Sequence, residues 1–416
     1  MTNWLSMFDA SLEVAPGLDD AQLSAIPAKR GVLALAAAND QPILLLTAAD
    51  LRARLRTRLS EPVEAVRRKS ADLREITRKI LWKLSPGHFE TDLNYLELAR
   101  AIWPRTYTEM LAYKPPWMVH VDALEKFPHF VRTREVSARG APGSNARRPS
   151  LAAASEGGSQ GWPPPIKEGM PPEGMSPPGG LYLGPFESGQ GADKFIQAVE
   201  DAFDLCRDYQ CLRSAPHGQP CAYLQMGRCV GPCNGTISLE EYREIVGRAV
   251  SFAAGERASF AQELQSRMKE AAAKLQFEKA GVLKARLERL EEFNSPRYRF
   301  VAPLEQFRFI LVQPGAGRKR LDVFLVNGPA VMKAAALDYP LVESQVRQTL
   351  ATMADLAGQP PAEIDEPGLW RMGLVAHYLL GGPQRAGAIA RWKAGLTAAE
   401  LTAAIEARAE DLRLRS

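Results

Sequence analysis

Apolar positions recur along this chain with two different periods. Two short and almost continuous apolar runs, residues 31–38 and 43–49, are separated by Asn39, Asp40 and Gln41 and predict a pair of buried strands. In LRARLRTRL the leucines Leu51, Leu55 and Leu59 return every four residues, which predicts a helix with one apolar stripe. A second helical stretch is expected over residues 91–103. Beyond residue 180 the pattern turns helical. Phe195, Val199 and Phe203 mark the buried face of a helix over 193–206, and Ser238 with Glu241 opens, in capping-box spacing, a helical region that continues to Phe293. The alternating runs FRFILV and LDVFLV flank a QPGAG turn and predict a small antiparallel sheet, with helical segments after it. No fixed-period repeat is visible. The expected fold class is α+β and multidomain.

Composition supplies the divisions. Residues 137–180 hold nine prolines and nine glycines, a content from which no packed core can be built, so a flexible linker or inserted loop is expected there. The expected domains are then 1–136, the linker 137–180, a cysteine-rich module 181–237, a helical region 238–295 and a small α+β domain 296–416. The length of 416 residues suits two or three domains, and 46% hydrophobic with 24% charged residues is the composition of a soluble globular protein. No apolar run approaches the roughly 20 residues that cross a bilayer. The first residues lack a basic segment ahead of an apolar one, so no secretory signal is read there. A cytoplasmic protein with no membrane contact is expected.

The net charge of +4 says little about partners, but its distribution says more. Between Leu51 and Lys83 there are eleven Lys and Arg against four Asp and Glu. Arg52, Arg54, Arg56 and Arg58 fan over the faces that the leucine stripe leaves. Two readings stand: a solvated helix face, or a phosphate-contacting surface in which guanidinium forks match phosphate oxygens and release counterions.

All five cysteines, Cys206, Cys211, Cys221, Cys229 and Cys233, fall within 28 residues. Clustered thiolates in a reducing compartment point to a metal centre more than to disulfides, with buried structural thiols and a redox dithiol as the alternatives. Four thiolates suit zinc or an iron–sulfur cluster, and the spacing alone does not separate the two.

The stretch QPCAYLQMGRCVGPCNGTISLEEYREIVGRAVSFAAG resembles the cysteine-rich segment of the UvrC family, the incision subunit of bacterial nucleotide excision repair. Cys221, Cys229 and Cys233 match three of that family's four cysteines. Either Cys206 or Cys211 takes the fourth place, with Cys206 preferred at the end of an amphipathic helix. The resemblance implies a [4Fe–4S] cluster, with zinc as the alternative. MKEAAAKLQFEKAGVLKARLERL is similar to the family's UVR motif, a helical hairpin with Met268, Ala272, Leu275, Phe277, Leu283, Leu287 and Leu290 as its apolar seam. Such a hairpin is too short to bury its seam alone, and the resemblance implies docking to a UvrB-like partner, with Met268, Leu275, Phe277, Leu283 and Leu287 as contact residues. The segment YLGPFESGQGADKFIQAVEDAFDL also resembles the family's approach to its first cysteine.

Residues 26–59 resemble the opening of a GIY-YIG nuclease domain, which implies a small three-stranded sheet with helices. Its two motif tyrosines are replaced, the first by Leu33 and the second within Leu45, Leu46 and Thr47. Arg54 falls at the catalytic arginine, with Arg52 as the alternative register, and Glu97 matches the Mg²⁺-binding glutamate. Loss of both phenols implies a domain that keeps its fold and its DNA affinity more than its cleavage. An ordinary surface pair is the bland reading of Arg54 and Glu97. The expected C-terminal sheet carries one aspartate, Asp322, with no acidic triad on adjacent strand ends. The family's RNase H-like domain and helix-hairpin-helix elements are therefore not carried over. The expected function is a UvrC-related repair component that binds DNA and a UvrB-like protein, with any nuclease activity weak or lost. The alternatives are an adaptor outside repair with a structural metal module, and a weak Mg²⁺-dependent nuclease.

Overall fold

In the computed structural model of the chain, the described residues are 3–15, 20–60, 73–122, 125–136, 180–360, 362–381, 387–412 and 414. They mix helices with antiparallel sheets, an α+β fold. The N-terminal elements run β1 (Ala10–Glu13), α1 (Asp20–Ser24), β2 (Gly31–Ala36), β3 (Pro42–Ala48), α2 (Leu51–Ser60), α3 (Leu73–Ile76), β4 (Lys79–Leu84) and α4 (His88–Ile102). The four strands form one antiparallel sheet in the order β1-β4-β2-β3. Between β2 and β3 the chain turns through Asn39 and Asp40, both at φ 59°, a conformation these short polar side chains tolerate.

β2 is buried along its whole length because both of its faces are covered. Side chains alternate across a strand. Leu33 and Leu35 pack with Leu51, Leu55 and Leu59 of α2, whereas Val32, Ala34 and Ala36 pack with Leu96, Leu98 and Ala99 of α4. The leucine stripe of α2 is thus the reason this helix docks, and α2 and α4 lie on opposite faces of the sheet. The backbone N–H of Ala53 donates to Asp50 Oδ1 at 2.9 Å, which satisfies a donor that the start of α2 leaves unpaired.

The expected linker, 137–180, lies outside the described residues except for Gly180. On either side of it stand β5 (Trp117–Val121), β6 (Phe130–Thr133) and β7 (Leu181–Phe186), followed by α5 (Gly189–Phe203), α6 (Tyr209–Arg213), α7 (Ala222–Gln225), α8 (Leu239–Ala254), α9 (Arg257–Ala273), α10 (Phe277–Glu291) and β8 (Ala302–Pro303). The second sheet has the order β6-β5-β7-β8, and β5 pairs antiparallel with β7, Val119 opposite Leu183 and Val121 opposite Leu181. Residues 117–133 therefore belong with the segment after the linker, not with the N-terminal domain to which the sequence pattern assigns them. Strand partners are chosen by tertiary pairing, which a linear pattern does not carry. The helices follow expectation more closely. Phe195, Val199 and Phe203 of α5 are buried, and the Ser238 hydroxyl accepts from Glu241 N while the Glu241 carboxylate accepts from Ser238 N, closing a capping box at the head of α8.

The last elements are β9 (Arg308–Pro314), β10 (Arg320–Asn327), β11 (Ala330–Lys333), β12 (Leu337–Asp338), α11 (Glu343–Gly358), α12 (Glu366–Leu380), β13 (Ala388–Arg391) and α13 (Ala398–Glu406). β9 and β10 form the antiparallel pair expected around the QPGAG turn. The path of the third sheet is β11-β10-β9-β13, and β12 pairs with β10 off that path. This C-terminal part does not stand as a separate small domain. Residues Arg308–Ala362 and Glu366–Ser416 form one compact unit with Met1–Pro115, and Pro116–Phe307 with Glu363–Asp365 form the other. Within the first unit α4 is gripped by later elements. Phe89 meets Phe324 of β10 and Tyr378 of α12 edge-on, at ring centroid distances of 5.0 and 5.2 Å. The Tyr378 hydroxyl donates to Asp92 at 2.6 Å. Gly373 lets α12 pass the Lys114 carbonyl, which a Cβ would meet at 2.7 Å. Among the described residues no helix is long and apolar enough to cross a membrane.

Candidate functional site

The cysteines lie on the loops and short helices that follow α5. Cys206 comes three residues after that helix, its N–H donating to the Tyr242 hydroxyl at 3.3 Å and its thiol to the Asp208 carbonyl at 3.3 Å. Cys211 sits in α6, whose N-cap Asp208 accepts from the Cys211 N–H at 3.1 Å. Cys221 caps α7. Cys229 and Cys233 flank a tight bend at Gly231, which has φ 75° and where a Cβ would meet Thr236 at 2.8 Å, so both conformation and space require glycine. All five thiols are free, and Cys206, Cys229 and Cys233 are buried.

The thiols influence one another in sequence around this bend. The neighbouring Cys229 thiol and burial push Cys206 up from the usual thiol range, while Cys206 draws Cys229 down. Burial raises Cys233, which also feels Cys229 and Cys221, and burial pushes Cys211 up to about 12 beside Asp208, Cys221 and Cys233. Both candidates for the fourth place are thus near the matched cysteines: Cys206 shares a core cluster with Cys229, and Cys211 lies toward Cys221 and Cys233. Among the described residues no three His, Cys, Asp or Glu side chains converge as a metal site.

The expected seam of the α9–α10 hairpin divides into two sets. Leu283 and Leu290 are buried, and Met268 and Leu287 are half-buried against the same core. Leu275 and Phe277, at the turn, are 74% and 68% exposed, and Val282, further along α10, is 65% exposed. Val282 is absent from the seam read in the sequence, because it lies off the stripe that the other residues define. The base of the hairpin is fastened to α5. Arg286 Nε donates to the Ala202 carbonyl at 2.6 Å, and Arg289 donates to the Asp201 carbonyl and, at 3.0 Å, to the Asp204 carboxylate.

In the N-terminal sheet, Leu33 and Leu45 are buried on opposite faces, with α2 and α4 respectively. Arg54 is exposed on α2 and has no side-chain partner among the described residues. Arg52 Nε donates to the Ile26 carbonyl at 2.7 Å, Arg56 is exposed and Arg58 half-buried. Glu97 of α4 accepts from Arg371 Nε at 2.6 Å on one oxygen and from Arg100 at 2.9 Å on the other. The sheet therefore separates Arg54 from Glu97. No local signal marks Arg371, which lies far along the chain in α12.

Residues 167–252 match the family described as UvrC/Cho excinuclease, middle domain, and residues 259–293 match the UvrB/uvrC motif. These two segments of the chain are similar to UvrC-family proteins. Similar proteins include the UvrABC system protein C of Moorella thermoacetica, 34% identical over 116 residues, or 27% of this chain and 18% of the relative. That of Syntrophus aciditrophicus is 37% identical over 116 residues, again 27% and 18%. That of Desulforudis audaxviator is 29% identical over 211 residues, 48% of this chain and 34% of the relative. The chain thus spans only between 18% and 34% of the length of these relatives. No solved structure matches it.

Beside the cysteines, Arg207 pairs with Asp201 and stacks over Tyr223 at 4.9 Å, leaving its contact with Glu200 long, at 3.9 Å. Burial pushes the Glu200 carboxyl up to about 8 from its ordinary 4.5. The folded chain then holds a proton that the unfolded chain releases, so this group's contribution to stability declines as pH rises between those values. Thermal unfolding of Glu200→Gln, followed from about pH 5 to about pH 8, is expected to show a flatter pH dependence than the parent; parallel profiles would count against a protonated Glu200.

Proposed function

We propose that this chain is a component of nucleotide excision repair that docks a UvrB-like protein through the α9–α10 hairpin and binds DNA, with cleavage by its N-terminal part weak or lost. The observation that carries the reading is the exposed apolar turn of Leu275 and Phe277 on a hairpin whose base is anchored and whose sequence matches the UvrB/uvrC motif. A buried hot spot of this kind commonly contributes about 2 kcal/mol or more to binding, roughly thirtyfold in affinity. Replacing Leu275 and Phe277 with serine should therefore abolish retention of purified UvrB by the full chain without lowering its melting temperature, since neither side chain is buried. Undiminished retention would remove the hairpin from the interface.

For the N-terminal part, a GIY-YIG-like reading is supported by three adjacent antiparallel strands, β3-β2-β4, with α2 between β3 and β4 and α4 following. Loss of cleavage is supported by the apolar Leu33 and Leu45 and by the arginines that occupy both oxygens of Glu97, leaving no open carboxylate for Mg²⁺ there. DNA binding rests on Arg52, Arg54, Arg56 and Arg58. If about three to four of these contact phosphates, log K should fall with log salt at a slope of about −3 to −4. Exchanging all four for glutamine should flatten that slope, and an unaltered slope would leave α2 as a solvated face.

The cysteine module is proposed to hold a metal centre through Cys221, Cys229, Cys233 and Cys206, a [4Fe–4S] cluster in preference to zinc. Support comes from the donor chemistry: five thiols, three of them buried, around a glycine bend. Bound there, such a centre supplies cross-links between the loop after α5 and the bend at Gly231. Metal analysis of anaerobically purified protein decides this, and a preparation with neither iron nor zinc would sink it. The occupied Glu97 also favours a second reading, an adaptor outside repair, which failure to retain UvrB would support.

A further inference from the structure

The C-terminal end of α5 is an electrostatic problem solved from elsewhere in the chain. A helix ends with unpaired carbonyls and partial negative charge, and here the last turn contains no basic residue. It carries Glu200 and Asp201 instead, and Asp204 follows as the C-cap in the left-handed conformation, φ 52°. Arg207 pairs with the Asp201 carboxylate, and the remaining positive charge comes from α10. Arg286 donates to the Ala202 carbonyl and lies over the Phe203 ring at 5.5 Å. Arg289 donates to the Asp201 carbonyl and to the Asp204 carboxylate.

Asp204 also faces the other way. Its carbonyl accepts from Val230 N–H at 3.0 Å, and Val230 is the residue after Cys229. Two residues beyond Asp204 in the chain is Cys206, which packs in the same core cluster as Cys229. One residue thus holds the hairpin through its carboxylate and the Cys229 bend through its carbonyl.

We infer that Asp204 and Arg289 are positioning residues that couple the α9–α10 hairpin to the cysteine bend, so that a load on either is felt by the other. This goes beyond the repair reading and does not depend on which partner the hairpin takes. Because coupling between sites is reciprocal, whatever orders the hairpin also orders the bend at 229–233, and loading of the cysteines stiffens the base of α10.

Backbone hydrogen exchange in the full chain tests this without any partner or metal. Coupling energies between sites typically correspond to about five-fold or more. Arg289→Ala is therefore expected to speed exchange in 229–233 by about five-fold or more, with strands β5 and β7 unchanged. Asp204→Asn should act alike, since asparagine tolerates the left-handed conformation but lacks the charge. It also carries the test if Arg289→Ala does not fold. Arg289→Lys, which keeps the charge beside Asp204, should restore most of the protection. Unchanged exchange at 229–233 would overturn the coupling. So would a uniform rise that includes β5 and β7, which would mean general loosening.

Discussion

The neutralisation of the α5 terminus by two arginines of α10 is the interaction on which the central unit depends. Without Arg286 and Arg289, the carbonyls of Asp201 and Ala202 and the carboxylate of Asp204 would face one another with no cation from the last turn of α5 itself. Apolar packing holds the same junction. Phe203, Phe252 and Phe260 meet one another, Phe252 meets Phe293, and Phe293 meets Phe195 and Tyr298, in tilted and edge-on arrangements. The hairpin is thus fastened at its base, while Leu275 and Phe277 at its turn remain exposed. A two-helix hairpin needs this support because its own seam is too small to order it.

In the other unit, α4 plays the comparable part. Its inner face covers β2, and its outer face receives α12 and β10 through Phe89, Asp92 and Glu97. Lys333 adds a bridge to both Glu90 and Asp322, at 2.7 and 3.0 Å. Glu97, bound by Arg371 of α12, is an anchor between helices. The same group cannot also present free oxygens to a cation, which connects the packing of this unit to the proposal that its chemistry has lapsed.

Under the GIY-YIG-like reading proposed for this part, Leu33 and Leu45 in place of phenols fit that picture physically. Buried tyrosine hydroxyls need partners, whereas leucines at these positions fill the two cores of the sheet without that demand. The arginines of α2 are under no such constraint. Arg54 and Arg56 are exposed, so the helix keeps its charge toward solvent while its leucine stripe does the packing.

Much of this was legible in the linear pattern. The strands at 31–36 and 42–48, the leucine stripe of α2, the buried face of α5 and the capping box of α8 all rest on neighbours two to four residues apart, a range over which periodicity and capping act. Partner choice across long loops was not legible. The pairing of β5 with β7, the burial of α4 beneath α12 and the contact of Glu97 with Arg371 each join distant segments, and no local signal in either segment names the other. Nor could the seam of the hairpin be divided from sequence. Met268, Leu283 and Leu287 read there as equivalent to Leu275 and Phe277, and only the docking of α10 on α5 decided which were covered and which remained exposed. Local order is set by neighbours in the chain, but exposure is set by what the folded chain brings against each face.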